Sequence, residues 1–117
     1  MKNTNKIIDL IRGESMITVS DSVICRKAVE KFGIDIQQIV AMEELGELIQ
    51  AISKIARWEC NQSEDVEILL EYIDNLAEEI ADVEIMLEQL KHCYGCHIQA
   101  DDYKRRKLEK LKSMVEG

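Results

Sequence analysis

The chain has 117 residues, 46% of them hydrophobic and 32% charged, with a formal net charge of −8. That length bounds one domain, 1–117, with apolar mass enough for a core and too much for a disordered chain. The acidic balance excludes nonspecific binding to a nucleic-acid polymer, which rests on basic surface, but leaves room for a nucleotide held by metal and a local basic cluster.

Proline is absent, glycine is scarce at 5 and aromatics are 4%, so helix breakers and strand formers are few. Residues 1–20 read as an N-terminal extension. In it, 3–12 can form a short helix ended by Gly13, and Ile17-Thr18-Val19 is extended but too short to imply a sheet. Ser20 is an N-cap for a helix over 21–32, which Gly33 stops. Asp35 with Gln38 makes a capping pair for a helix running to about Trp58. Its apolar arc holds Val40, Ala41, Leu45, Leu48, Ile52, Ile55 and Ala56.

The polar break Cys60-Asn61-Gln62-Ser63-Glu64 follows, with Ser63 as the next cap. A helix over 65–93 carries Ile68, Leu69, Leu76, Ile80, Val83, Met86, Leu87 and Leu90 on its stripe, and Gly95 marks its end. A last helix, 99–115, has the narrow stripe Leu108, Leu111, Val115. The expected fold is all-α: an antiparallel helical bundle around a core hairpin, 35–93, whose short connection makes its two long helices neighbours. The apolar surface left over predicts a homodimer or homotetramer. No signal-type apolar segment or membrane-length run is present, which predicts a cytoplasmic protein with no membrane partner and reduced cysteines.

Two acidic stretches stand out, Glu43-Glu44-Leu45-Gly46-Glu47 and Glu78-Glu79-Ile80-Ala81-Asp82. Glu44/Glu47 and Glu79/Asp82 are spaced three apart, which puts each pair on one helix face. At about 100° per residue, Glu44 projects among Val40, Leu48, Ala51 and Ile55, and Glu79 among Ile68, Tyr72, Met86 and Leu90. Both therefore sit inside the apolar arc, with Glu47 and Asp82 at its margin and Glu43 and Glu78 further out. A buried carboxylate must be paired, protonated or metal-bound. Pairing with lysine or arginine and binding of a hard cation both remain open on periodicity. Oxygen-only ligands suit Mg²⁺ or Mn²⁺. A di-iron bundle is set aside, because the chain has no Glu-x-x-His.

The ordered pair Glu44-Leu45-Gly46-Glu47 and Glu79-Ile80-Ala81-Asp82 resembles the ExxE…ExxD signature of MazG-like all-α nucleotide pyrophosphohydrolases. The flanking EELGEL and EEIADV, and Asp35-Ile36-Gln37-Gln38 upstream, are similar to the short members found in phages and prophages. The resemblance covers about residues 32–94; residues 48–78 make a longer spacer than in compact members, which a helix extension and loop can absorb. It implies Mg²⁺-dependent hydrolysis of a nucleoside triphosphate, a dNTP or non-canonical NTP, to the monophosphate and pyrophosphate. It also implies that Glu44, Glu47, Glu79 and Asp82 are the metal ligands. Glu47, or Glu43, is the candidate to accept the water proton.

Phosphate-binding cations are sought nearby: Lys54, seven residues after Glu47, and Lys104 and Lys107 in the run Lys104-Arg105-Arg106-Lys107. A solvated basic face is the plainer account of each. Asn75, one turn before Glu79, is a candidate contact to base, sugar or water. The alternative function is a helical module that binds nucleotide, or regulates a partner, without hydrolysis.

Cys93-Tyr94-Gly95-Cys96-His97 matches the C-x-x-C-H pattern of covalent haem, and with His92 a compact zinc cluster. Three things set both aside: no secretory signal, no second ligand pair at zinc-finger spacing, and Gly95 explained as a helix cap. The expectation is two half-buried cysteines and two surface histidines.

Overall fold

The computed structural model describes residues 17–61 and 65–117. Over them the chain is all-α, in four helices: α1 (Val19–Phe32), α2 (Ile34–Cys60), α3 (Val66–Tyr94) and α4 (His97–Glu116). The expected helix over 3–12 and the Ser63 cap lie outside the described residues.

Local chemistry sets the helix ends. Thr18, not Ser20, caps α1: its hydroxyl accepts from the Asp21 N–H at 3.1 Å, while Asp21 accepts from the Thr18 N–H at 3.3 Å. This reciprocal box satisfies two N–H groups at once, so helix begins at Val19 where extended chain was expected. Gly33, at φ 91°, ends α1 and starts α2 without a spacer. Only glycine takes that dihedral without strain, so the two helices meet at a single residue. Asp35 consequently falls inside the first turn of α2 rather than capping it. Across the second connection, Asp65 caps α3 by accepting from the Ile68 N–H at 3.3 Å. Gly95, left-handed at φ 60°, closes α3, and its N–H is donated to the Lys91 carbonyl.

Packing is dominated by α2 against α3, with α1 also laid on α3. The buried and half-buried residues of α2 include Gln37, Ala41, Glu44, Leu48, Ala51, Ile55 and Trp58; those of α3 include Leu69, Tyr72, Leu76, Glu79, Val83, Met86 and Leu90. Both rows alternate steps of three and four, the seam of a coiled-coil pair. Side-chain rungs fix the antiparallel register. Trp58 Nε1 donates to the Asp65 carbonyl at 3.1 Å beside the loop, and Gln37 Nε2 donates to Gln89 Oε1 at the far end.

This seam is narrower than the arcs read from sequence. Leu45, Ile52, Ala56, Ile68, Ile80 and Leu87, expected to pack, are exposed, because a period near 3.5 leaves their positions flanking the contact rather than in it. In α4, Leu108, Leu111 and Val115 are exposed too, and the helix has no buried residue. No described helix is long and apolar enough to cross a membrane.

Candidate metal centre

Glu44 and Glu79 occupy positions on the two facing seams. One turn on, Glu47 and Asp82 complete the group. One carboxylate oxygen from each of the four lies within 4.8 Å of the others. Glu44, Glu79 and Asp82 are half-buried, and Glu47 is exposed. The Oε2 atoms of Glu44 and Glu79 are shut from solvent and have no hydrogen-bond partner. Two orphaned carboxylate oxygens on facing helices are costly in a protein interior.

Burial raises the Glu44 carboxyl above its usual range, and the charges of Glu47, Asp82 and Glu79 push it further. Burial also raises Glu79, with Glu47, then Asp82 and Glu78, adding to it. Glu47 is a carboxylate common to both shifts, with an oxygen within 4.8 Å of each. No lysine or arginine among the described residues forms an ion pair with any of the four. The pairing reading is therefore not what the fold builds there. Protonation, or a hard divalent cation, is what would relieve the crowding. The donor set is all oxygen, and two of its residues carry buried oxygens without a partner, so the residues fit Mg²⁺ or Mn²⁺.

The other residues singled out from sequence divide into near and far. Lys54 lines a cleft of about 400 Å³ with Arg57, Trp58, Asn61, Ile68 and Tyr72. The cleft lies on the same hairpin, two turns of α2 beyond Glu47, or roughly 10 Å along the axis. Arg57 and Tyr72 belong to it although the sequence reading gave them no binding role; Arg57, three residues after Lys54, was legible by spacing. Asn75 is half-buried one turn before Glu79. Glu43 is exposed on the outer side of α2.

Lys104 and Lys107 stand apart. Lys104 borders grooves lined by Glu84, Leu87, Lys91, Asp101 and Leu108, none of which includes any of the four carboxylates. Lys107 is exposed on α4. Between them, Arg105 and Arg106 are held by Asp102 at 2.5 and 2.8 Å, which neutralises part of the basic run.

The C-x-x-C-H segment resolves into separate features. Cys93 and Cys96 are half-buried, as expected, and burial raises the Cys93 thiol above its usual range. His92 and His97 are not free surface histidines. Both are half-buried, their ring centroids 4.4 Å apart, and both turn Nε2 toward buried Glu88. The legible signal was Glu88/His92 at i, i+4; the turn at Gly95 that returns His97 to them was not.

No protein-family model matches the chain, and no significant match is found among curated proteins or solved structures.

Proposed function

We propose that the protein is a Mg²⁺-dependent nucleoside triphosphate pyrophosphohydrolase, cleaving between the α and β phosphates. The observation that carries this reading is the pair of buried, partnerless oxygens of Glu44 and Glu79 within the four-carboxylate group. The ordered ExxE…ExxD motifs supply the same residues from sequence.

Glu44, Glu47, Glu79 and Asp82 would hold the metal. When bound, Mg²⁺ supplies charge neutralisation at the phosphate and lowers the pKa of water in its reach. The protein's own groups do the rest. Glu44 and Glu79, fixed on facing seams, set the centre's position with little freedom to move. Glu47 is exposed, has an oxygen within 4.8 Å of both, and is placed to take a proton from an attacking water and release it to solvent. Glu43 lies outward and would serve only as a relay.

The cleft beyond Glu47 suits the rest of the nucleotide. Lys54 and Arg57 offer charge for phosphate, while Trp58 and Tyr72 offer faces for a base. Trp58 is pre-set by its hydrogen bond to the Asp65 carbonyl, so little order must be gained on binding. The exposed row Ile39, Met42, Ile49 and Ile52 gives a second copy of the chain an apolar surface to cover, in keeping with a homo-oligomer.

The test is pyrophosphate release from canonical and modified NTPs and dNTPs with Mg²⁺ or Mn²⁺. The expected result is metal-dependent release of pyrophosphate and monophosphate from at least one of them. Tight metal-dependent binding without product would select the non-hydrolytic binding module instead, and neither binding nor turnover would end the nucleotide reading altogether.

A further inference from the structure

A second cluster lies toward the C-terminal end of α3, beyond Glu79 and Asp82, which are near its middle. Glu88 is a buried carboxylate, 7% exposed. Its two oxygens are used differently. Oε1 is 3.9 Å from Lys91 Nζ, which also lies 4.0 Å from Asp101. Oε2 is met by three groups from three helices: Ser22 Oγ of α1 at 2.8 Å, His92 Nε2 of α3 at 3.2 Å and His97 Nε2 of α4 at 2.7 Å. Ser22 Oγ is itself 2.9 Å from His92 Nε2.

That is more than hydrogen bonding needs. A carboxylate oxygen has two lone pairs to offer, yet three groups converge on Oε2, two of them imidazoles set edge to face with the same nitrogen turned to it. Two imidazole nitrogens and one carboxylate oxygen, all within 4.8 Å of one another, form the donor set of a borderline transition metal. The set is unsuited to Mg²⁺, which takes oxygen ligands. Neither Cys93 nor Cys96 belongs to the group. A histidine at i+4 from the glutamate and one from the first turn of the next helix are both on regular backbone, so their placement is fixed by helix geometry and by the Gly95 turn.

We propose that Glu88, His92 and His97 form a second metal site, for Zn²⁺ or a similar transition-metal ion, with the Ser22 hydroxyl beside it. It is separate in ligands and in chemistry from the carboxylate centre. Its structural consequence concerns α4, which has no buried residue and, among the described residues, packs on α3 alone. An ion shared by His97 and the two α3 ligands fastens the start of α4 to the bundle, and Ser22 brings α1 to the same point.

The experiment uses the full chain, stripped of metal and titrated with Zn²⁺ against a chromophoric chelator in excess Mg²⁺, with Co²⁺ as a spectroscopic stand-in. Wild type is expected to bind one tight Zn²⁺ and to give visible Co²⁺ bands without a thiolate charge-transfer band. The double variant Glu44→Gln/Glu79→Gln is expected to keep that ion. His92→Ala and His97→Ala should each weaken it by at least about 100-fold. Circular dichroism checks that each variant stays helical; should His92→Ala unfold, His97→Gln, at a half-exposed position, carries the test. No tight Zn²⁺ in wild type, Zn²⁺ lost with the Glu44/Glu79 pair but kept in the histidine variants, or a thiolate signature would each overturn the proposal. None of these outcomes depends on nucleotide turnover.

Discussion

Glu44→Gln and Glu79→Gln are each expected to reduce metal-dependent pyrophosphate release by about 100-fold or more while leaving the chain folded. Glutamine keeps the shape of the side chain and removes the charge that would hold the cation. Both residues are on the seams, so neither neighbour can swing in to replace them. The same substitutions should make the metal-free protein more stable, not less, at neutral pH, because they remove a buried charge from a crowded group.

The sign follows from the raised carboxyls. Between the ordinary glutamate value and the higher folded ones, the folded chain holds protons that the unfolded chain has released. Stability contributed by these groups therefore falls as pH rises through that window. In EDTA, the variants should melt above wild type at neutral pH, with the gap closing as pH falls toward the ordinary glutamate range. Added Mg²⁺ should stabilise wild type, by about 2.7 kcal/mol at a hundred times its Kd, and the variants far less. Full turnover by either variant, or a melting gap that widens in acid, would contradict the assignment.

Glu88→Ala is expected to be among the most damaging single substitutions, costing about 2–4 kcal/mol in urea unfolding of the metal-free protein. Glu88 is nearly closed to solvent and is the common partner of Ser22, Lys91, His92 and His97. Its removal strips the acceptor from groups on three helices. Burial by itself would raise the Glu88 carboxyl. Hydrogen bonds from His97 and Ser22, and the charges of His97 and Lys91, outweigh that and hold it below its ordinary value. Its contribution is thus present above the unfolded glutamate value and lost as pH falls through the depressed folded one, opposite in direction to Glu44 and Glu79. A loss below about 0.5 kcal/mol, within the range of ordinary surface substitutions, would show that the cluster does not hold the helices together.

The acidic centre was legible in the sequence because it obeys local geometry. Three-residue spacing and helical projection place Glu44 and Glu79 in the apolar arc, and their buried oxygens lie where that projection puts them. The helix stops at Gly33 and Gly95 were equally local, since each needs a positive φ. The breadth of the core was not. Leu45, Ile52 and Ile80 are as apolar as the seam residues, and only the strict alternation of three and four separates them. The end of the bundle was read least well. His92 and His97 flank a motif that draws attention to its cysteines, while their true partner, Glu88, sits in a run of residues read as apolar stripe. Ser22 joins that cluster from 66 positions away, a contact no periodicity encodes.

A crystal soaked with Mn²⁺ and a non-hydrolysable dNTP, with anomalous diffraction recorded at the manganese edge, tests the central claim most directly. The account predicts an anomalous peak enclosed by Glu44, Glu47, Glu79 and Asp82, with the triphosphate against it and the base toward Trp58. Nucleotide bound with its metal elsewhere, or a carboxylate group that stays free of metal while nucleotide is bound, would contradict it.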